Sequence, residues 1–107
     1  MDVIEESVKA LARLREDFHG CINAYLNFTT KVINTPAIDR KTKELILLAL
    51  AVASQCESCI GLHVQNAASS GASRSEILEA SMLAVVMGGG PKLMHMSIVY
   101  RELDILF

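Results

Sequence analysis

Apolar positions along this chain recur every three or four residues, the period of a buried helix face. Val and Ile follow that spacing and do not alternate as they would in a half-buried strand. The stretches between breaks are rich in Ala, Leu, Met, Glu and Lys, all strong helix formers. A first helix is expected near 3–18, with Ile4, Val8, Leu11 and Phe18 on one stripe. Gly20 is expected to separate it from a second, near 21–34, carrying Ile22, Tyr25, Leu26 and Val32. Thr35-Pro36 ends that one, because the residue before proline avoids the α region. Asp39 can cap a third over 40–53, whose second half is apolar all round and must be covered on every side. Ser54 with Glu57, and Ser73 with Glu76, both match the capping-box pattern. They open a fourth helix at 55–69, closed by Gly71, and a fifth reaching about 87. Gly88-Gly89-Gly90 stops the fifth, and Pro91 at a first helical position opens a sixth. The expected fold is an all-α compact bundle of about six helices with short loops.

Length and composition narrow the function classes. The 107 residues suit a single domain spanning 1–107. With 51% hydrophobic and 21% charged residues, the chain is too apolar for disorder and too charged for a membrane protein. Its longest apolar run, Leu45 to Ala53, is half of the roughly 18 residues that a membrane span needs. The opening Met1-Asp2-Val3-Ile4-Glu5-Glu6 carries acids where an export signal would carry bases, so no export is expected. Ten basic and twelve acidic residues give a net charge of -2 without a basic block, so no nucleic-acid partner is expected. A small chain this apolar has more apolar surface than it can bury alone, and a homo-oligomer is expected.

The residues that can carry chemistry are Cys56-Glu57-Ser58-Cys59 and His63. At about 100° per residue, Cys56, Cys59 and His63 fall on one helix face. Near a helix start the unsatisfied N–H groups favour a thiolate, and His63, one turn beyond Cys59, can exchange a proton with it. If the third and fourth helices form an antiparallel hairpin turning at Ser54, Glu44 lies level with His63. A glutamate buried in so apolar a helix is costly without a partner, and with one it suits a general base. The residues alone also admit other readings. Cys56 and Cys59 could be half of a zinc site, although Cys21, His19 and His95 stand at no metal-binding spacing. They could be packed as small hydrophobes. Glu44 could be an exposed acid near a helix start, and His63 a partly buried structural histidine. Cys21 is expected to pack within the second helix, His19 and His95 to be structural, and Met82, Met87, Met94 and Met96 to fill the core. The glycine triplet lacks the lysine and preceding strand of a phosphate loop.

Glu44, eleven residues, Cys56, two residues, Cys59, three residues, His63 resembles the signature of the alkyl hydroperoxidase D-like proteins of the carboxymuconolactone decarboxylase superfamily. The likeness continues through Ile60-Gly61-Leu62-His63, Gly71-Ala72-Ser73-Arg74-Ser75-Glu76-Ile77 and Met87-Gly88-Gly89-Gly90-Pro91, covering roughly 36–100. The resemblance implies an all-helical subunit in trimers or hexamers, with thiol peroxidase or disulfide reductase activity and no cofactor. It implies that Cys59 attacks the peroxide, that Cys56 resolves the sulfenic acid into an intramolecular disulfide, and that Glu44 and His63 activate Cys59 by proton relay. Ser58 departs from the best-known enzymes, which carry a histidine there. The helix dipole favours Cys56 as the nucleophile. The resemblance favours Cys59, and a proton acceptor one turn away outweighs a dipole contribution of about 0.3–1 kcal/mol. The expected partners are a hydroperoxide substrate and an external dithiol, thioredoxin-like or lipoyl-type reductant, because turnover must reduce the disulfide. That requirement places the protein in the cytoplasm. Two alternatives remain: a non-catalytic redox-sensing or assembly protein on the same scaffold, and a lactone decarboxylase, which needs neither thiol.

Overall fold

The computed structural model describes residues 3–107, which form helices and no strand. The helices are α1 (Val3–Asp17), α2 (His19–Ile33), α3 (Arg40–Ala53), α4 (Glu57–Ser69), α5 (Arg74–Gly88), α6 (Gly90–Met94) and α7 (Met96–Leu106). The chain divides into two compact units, 1–39 and 40–107.

In the first unit the break between α1 and α2 falls at Phe18, with Gly20 inside α2. The sequence reading placed the break at Gly20, but glycine permits a helix interruption without forcing one. Backbone bonds carry the i→i−4 ladder across the break: Phe18 donates to Leu14 and Ile22 donates to Phe18. Neither helix contains a buried residue, and Val8, Phe18, Tyr25 and Val32 of the expected apolar stripes are more than half exposed.

The second unit holds the core. Each of its long helices contributes one stripe at helical spacing: Leu48, Ala51 and Val52 from α3; Ile60, Val64 and Ala67 from α4; Ile77 and Ala84 from α5; Met96, Val99 and Leu103 from α7. Eight of these are fully buried, and for the seven larger than alanine (Leu48, Val52, Ile60, Val64, Ile77, Val99 and Leu103) burial of such a side chain is worth about 1.5–3 kcal/mol. Glu44 stands one turn before Leu48 on the same stripe and is equally buried. The apolar second half of α3 is covered on one side only, since Ile46 and Leu50 are exposed in the single chain. Met96 fills the core as expected, but Met82, Met87 and Met94 do not, because they lie on outward faces of α5 and α6.

Two helix junctions differ from expectation. The sixth helix is present as α6 and α7, interrupted at His95, whose ring Nδ1 donates to the Pro91 carbonyl at 2.9 Å. Pro91 is the second residue of α6, behind Gly90, and Gly89 alone leaves the helical path with φ 71°. The capping box at Ser73 and Glu76 forms, with both reciprocal hydrogen bonds present. The one expected at Ser54 does not. Ser54 and Gln55 belong to the end of α3: Cys56 N–H donates to Ala51 O, and Gln55 N–H donates to Val52 O. This is a Schellman closure with Gln55 in the left-handed position at φ 54°. That conformation costs a residue other than glycine about 1–2 kcal/mol. The same closure ends α4, where Ala72 and Gly71 donate to Ala67 and Ala68 and the left-handed residue is Gly71.

Candidate active site

The Schellman closure leaves no slack before the next helix. Cys56 ends the turn of α3 and is itself the N-cap of α4, with extended backbone at φ −97° and ψ 101°. Its Sγ accepts from the Cys59 backbone N–H at 3.3 Å, taking the N-cap role that Ser54 was expected to fill toward Glu57. Capping thus fell to the residue whose sulfur could reach the third N–H of the helix, which put Cys56 outside α4 and Cys59 in its first turn. The two cysteines are joined as a disulfide, with Cα atoms 5.2 Å apart. Ser58 Oγ lies 3.7 Å from Cys56 Sγ.

One turn after Cys59, His63 points toward α3. Its Nδ1 meets Glu44 Oε2 at 2.8 Å, so the hairpin of α3 and α4 brings the carboxylate and the imidazole together at the level that residue counting predicts. Glu44 is 0% exposed and the His63 side chain 18%, which makes this a nearly dry, charge-assisted contact. The second carboxylate oxygen, Oε1, accepts from Arg40 Nε at 3.1 Å. Both oxygens of Glu44 are therefore partnered, which meets the condition for burying a carboxylate in an apolar layer.

Arg40 was missed by sequence reasoning. Its signal was available, because Arg40 and Glu44 are four residues apart and so share a helix face. Arg40 is half exposed, so it joins the buried carboxylate to solvent.

The sulfurs and the imidazole open onto a shallow cavity of about 190 Å³ lined by Leu47, Leu50, Ala51, Ser54, Cys56, Cys59 and His63. Its walls are mostly aliphatic, supplied by the outward face of α3. Leu50 also borders a groove of about 450 Å³ between α3 and α5, lined by Leu45, Ile46, Ala49, Ala80 and Leu83 among others.

The remaining candidates lie apart from this constellation. Cys21 is exposed on α2, contrary to the expected packing, because it lies off the half-buried face formed by Ile22, Leu26, Thr29 and Ile33. His19 hydrogen-bonds Asn23 at 3.0 Å, and His95 caps α6 as described. Among the described residues, no group of three or more His, Cys, Asp or Glu is arranged to hold a metal ion. No helix among them is long and apolar enough to cross a membrane.

Comparison with known proteins sets the lineage of this arrangement. A family model described as the carboxymuconolactone decarboxylase family matches residues 21–102. A carboxymuconolactone decarboxylase family protein of Legionella pneumophila, solved in its apo form, superposes with a TM-score of 0.88 at 37% identity, over 94% of this chain and 90% of that one. A protein of the same family from Thermotoga maritima, suggested to take part in an antioxidative response, superposes with a TM-score of 0.86 at 28% identity, over 98% and 90% of the two chains. The uncharacterized protein 4 of the cox locus of Paracoccus denitrificans is 35% identical over 82 residues, covering 77% of this chain and 74% of that protein. With solved family members superposing over 94% and 98% of its length and the family model matching residues 21–102, this chain belongs to the carboxymuconolactone decarboxylase family.

Proposed function

We propose that the protein is a thiol-dependent peroxidase of the alkyl hydroperoxidase D type. The observation that carries this reading is the buried Glu44–His63 contact of 2.8 Å, one helical turn from a Cys56–Cys59 pair. An ionised Glu44 accepts from His63 Nδ1–H, which leaves Nε2 as the ring nitrogen that can take a proton. His63 removes the Cys59 thiol proton, and Glu44 stabilises the resulting imidazolium. The Cys59 thiolate attacks one peroxide oxygen. The O–O bond breaks, an S–O bond forms, and the departing alkoxide takes the proton from His63, giving Cys59 sulfenic acid and an alcohol. Cys56 sits at the helix N-terminus with its sulfur on a backbone N–H, a position that favours negative charge. Its sulfur displaces hydroxide from the sulfenic acid, which leaves as water with the Cys56 proton, and the disulfide forms. An external dithiol then donates two electrons and two protons to restore both thiols. The balance is one hydroperoxide and one dithiol converted to an alcohol, water and a cyclic disulfide. The aliphatic walls of the cavity suit an organic hydroperoxide, and the need for an external reductant suits the cytoplasm.

The second reading, a redox-responsive assembly protein, draws on Ser58 in place of the histidine and on the exposed apolar faces of α1, α2 and α5. The two readings separate in one experiment. Peroxide consumption with a dithiol is expected for the natural sequence and is expected to vanish in Cys59→Ser. Size-exclusion of oxidised and reduced protein is expected to give the same elution volume. Unchanged consumption in Cys59→Ser refutes the assignment of the attacking sulfur. No consumption, together with a redox-dependent change of size, establishes the second reading instead.

A further inference from the structure

The turn that presents Cys56 is held from a distance. Lys92 Nζ of α6 donates to Gln55 Oε1 at 2.6 Å, linking residues 37 apart in sequence. To reach it, the Lys92 stem lies across Gly88. A Cβ placed on Gly88 would stand 2.3 Å from Lys92 Cγ and 2.7 Å from its Cε, closer than two non-bonded carbons can sit, so the lysine stem would have to move. Gly88 keeps an ordinary helical backbone, so its missing side chain serves this passage and not a turn.

Gln55 is the residue that Lys92 holds, and it occupies a position that favours glycine. The equivalent closure at the end of α4 has Gly71 there. At the end of α3 a glutamine stands in the left-handed conformation, and its side chain takes up the bond to Lys92. Cys56 follows at once, serving both as the last residue of the closure and as the N-cap of α4. Any drift of Gln55 therefore moves the Cys56 sulfur relative to Cys59, because no residue between them can absorb it. On the other flank, Arg101 of α7 donates to Glu57 Oε1 at 2.9 Å.

We propose that Lys92, seated across Gly88 and bonded to Gln55, is a positioning residue that keeps Cys56 within bonding reach of Cys59. The proposal rests on the redox role assigned above to the pair, but it does not depend on peroxide being the oxidant. Holding one sulfur beside the other raises their effective concentration, which favours the disulfide over the two thiols.

The test is the equilibrium of the whole protein with dithiothreitol. In it, two electrons and two protons pass from dithiothreitol to the pair, the protein S–S bond breaks, and cyclic oxidised dithiothreitol forms. Gly88→Ala displaces the lysine stem while leaving both Lys92 and Gln55 unreplaced. Gln55→Asn keeps an amide that tolerates the left-handed conformation but shortens its reach. Both retain the lysine charge, which by itself would act in the opposite direction by favouring thiolates. Each variant is expected to shift the equilibrium about threefold toward the dithiol, the effect of losing one exposed hydrogen bond, or about 14 mV for a two-electron couple. In a Lys92→Met background neither substitution is expected to shift it further. The melting temperature of Gly88→Ala is expected to hold or rise, since alanine is the better helix former. An unchanged equilibrium in Gly88→Ala and Gln55→Asn overturns the proposal, and so do full effects that persist in the Lys92→Met background. Failure of the natural protein to consume peroxide would defeat the peroxidase reading and leave this measurement standing.

Discussion

Replacing Glu44 by glutamine tests the proposed proton route with the least disturbance to the fold. The side chains are nearly isosteric, so the fully buried site loses a charge and keeps its volume. A glutamine can offer an oxygen to only one of the two donors that Glu44 serves. If the oxygen faces His63, its NH2 faces Arg40 Nε, and the half-exposed arginine swings into water at little cost. His63 then keeps its tautomer but loses the counter-charge for its imidazolium. If the NH2 faces His63, Nδ1 must become the acceptor, and the proton moves to Nε2, the nitrogen needed as base. Either way the 2.8 Å charge-assisted contact is lost, a change of about 2–3 kcal/mol. Expressed in the barrier, that is a fall of roughly 30- to 150-fold in the rate of thiol oxidation. The assay is single-turnover loss of free thiol on mixing reduced protein with an organic hydroperoxide, followed by rapid alkylation and intact mass, across a range of pH. A melting temperature near that of the natural protein would show that the fold is kept. A rate within twofold of the natural protein, with the fold intact, would refute the assignment of Glu44 and with it the relay. Arg40→Met provides a graded control. Its side chain is 54% exposed, which screens the pair at the arginine end, and Glu44 keeps its charge and its His63 contact, so a smaller loss than in Glu44→Gln is expected.

Three further outcomes follow from the same geometry. Leu48→Ala removes a fully buried side chain one turn from Glu44 and is expected to cost about 2–5 kcal/mol in chemical denaturation; a loss under 1 kcal/mol would mean that α3 is not packed as described. Glu76 titrates below the ordinary glutamate value of 4.5, held there first by the Ser73 backbone N–H and then by Lys41. A lowered value means that this stabilisation is complete above 4.5 and fades as the pH falls through the folded-state value. Protection factors for amide exchange at the start of α5, taken against the intrinsic rate at each pH, should therefore fall in acid, with Ser73→Ala showing the lower protection already at neutral pH. Sedimentation at micromolar concentration is expected to show a homo-oligomer, because Val86 and Met87 are 78% and 89% exposed and α1 and α2 contain no fully buried residue; a monomer alone would contradict it, and the family resemblance implies a trimer or hexamer.

Much of this arrangement can be read in the order of the residues. Helical periodicity, Pro36, Gly71 and the Ser73–Glu76 box locate α2 to α5 to within a few residues, since each is a local preference that needs no distant partner. The pairing of Glu44 with His63 was also legible, because a short turn makes two neighbouring helices antiparallel and residue counting then sets their level. What local preference could not decide was who caps α4. Ser54 and Cys56 compete for that place, and the outcome depends on how α3 is closed, at a Gln55 that is bonded to a lysine 37 residues further along the chain. Nor could it decide which apolar residues would be covered. Leu48 and Leu50 are the same residue type two positions apart, one fully buried and the other more than half exposed. The difference arises because only one face of α3 meets α4 and α5, and burial is a property of what a surface packs against, not of the residue that bears it.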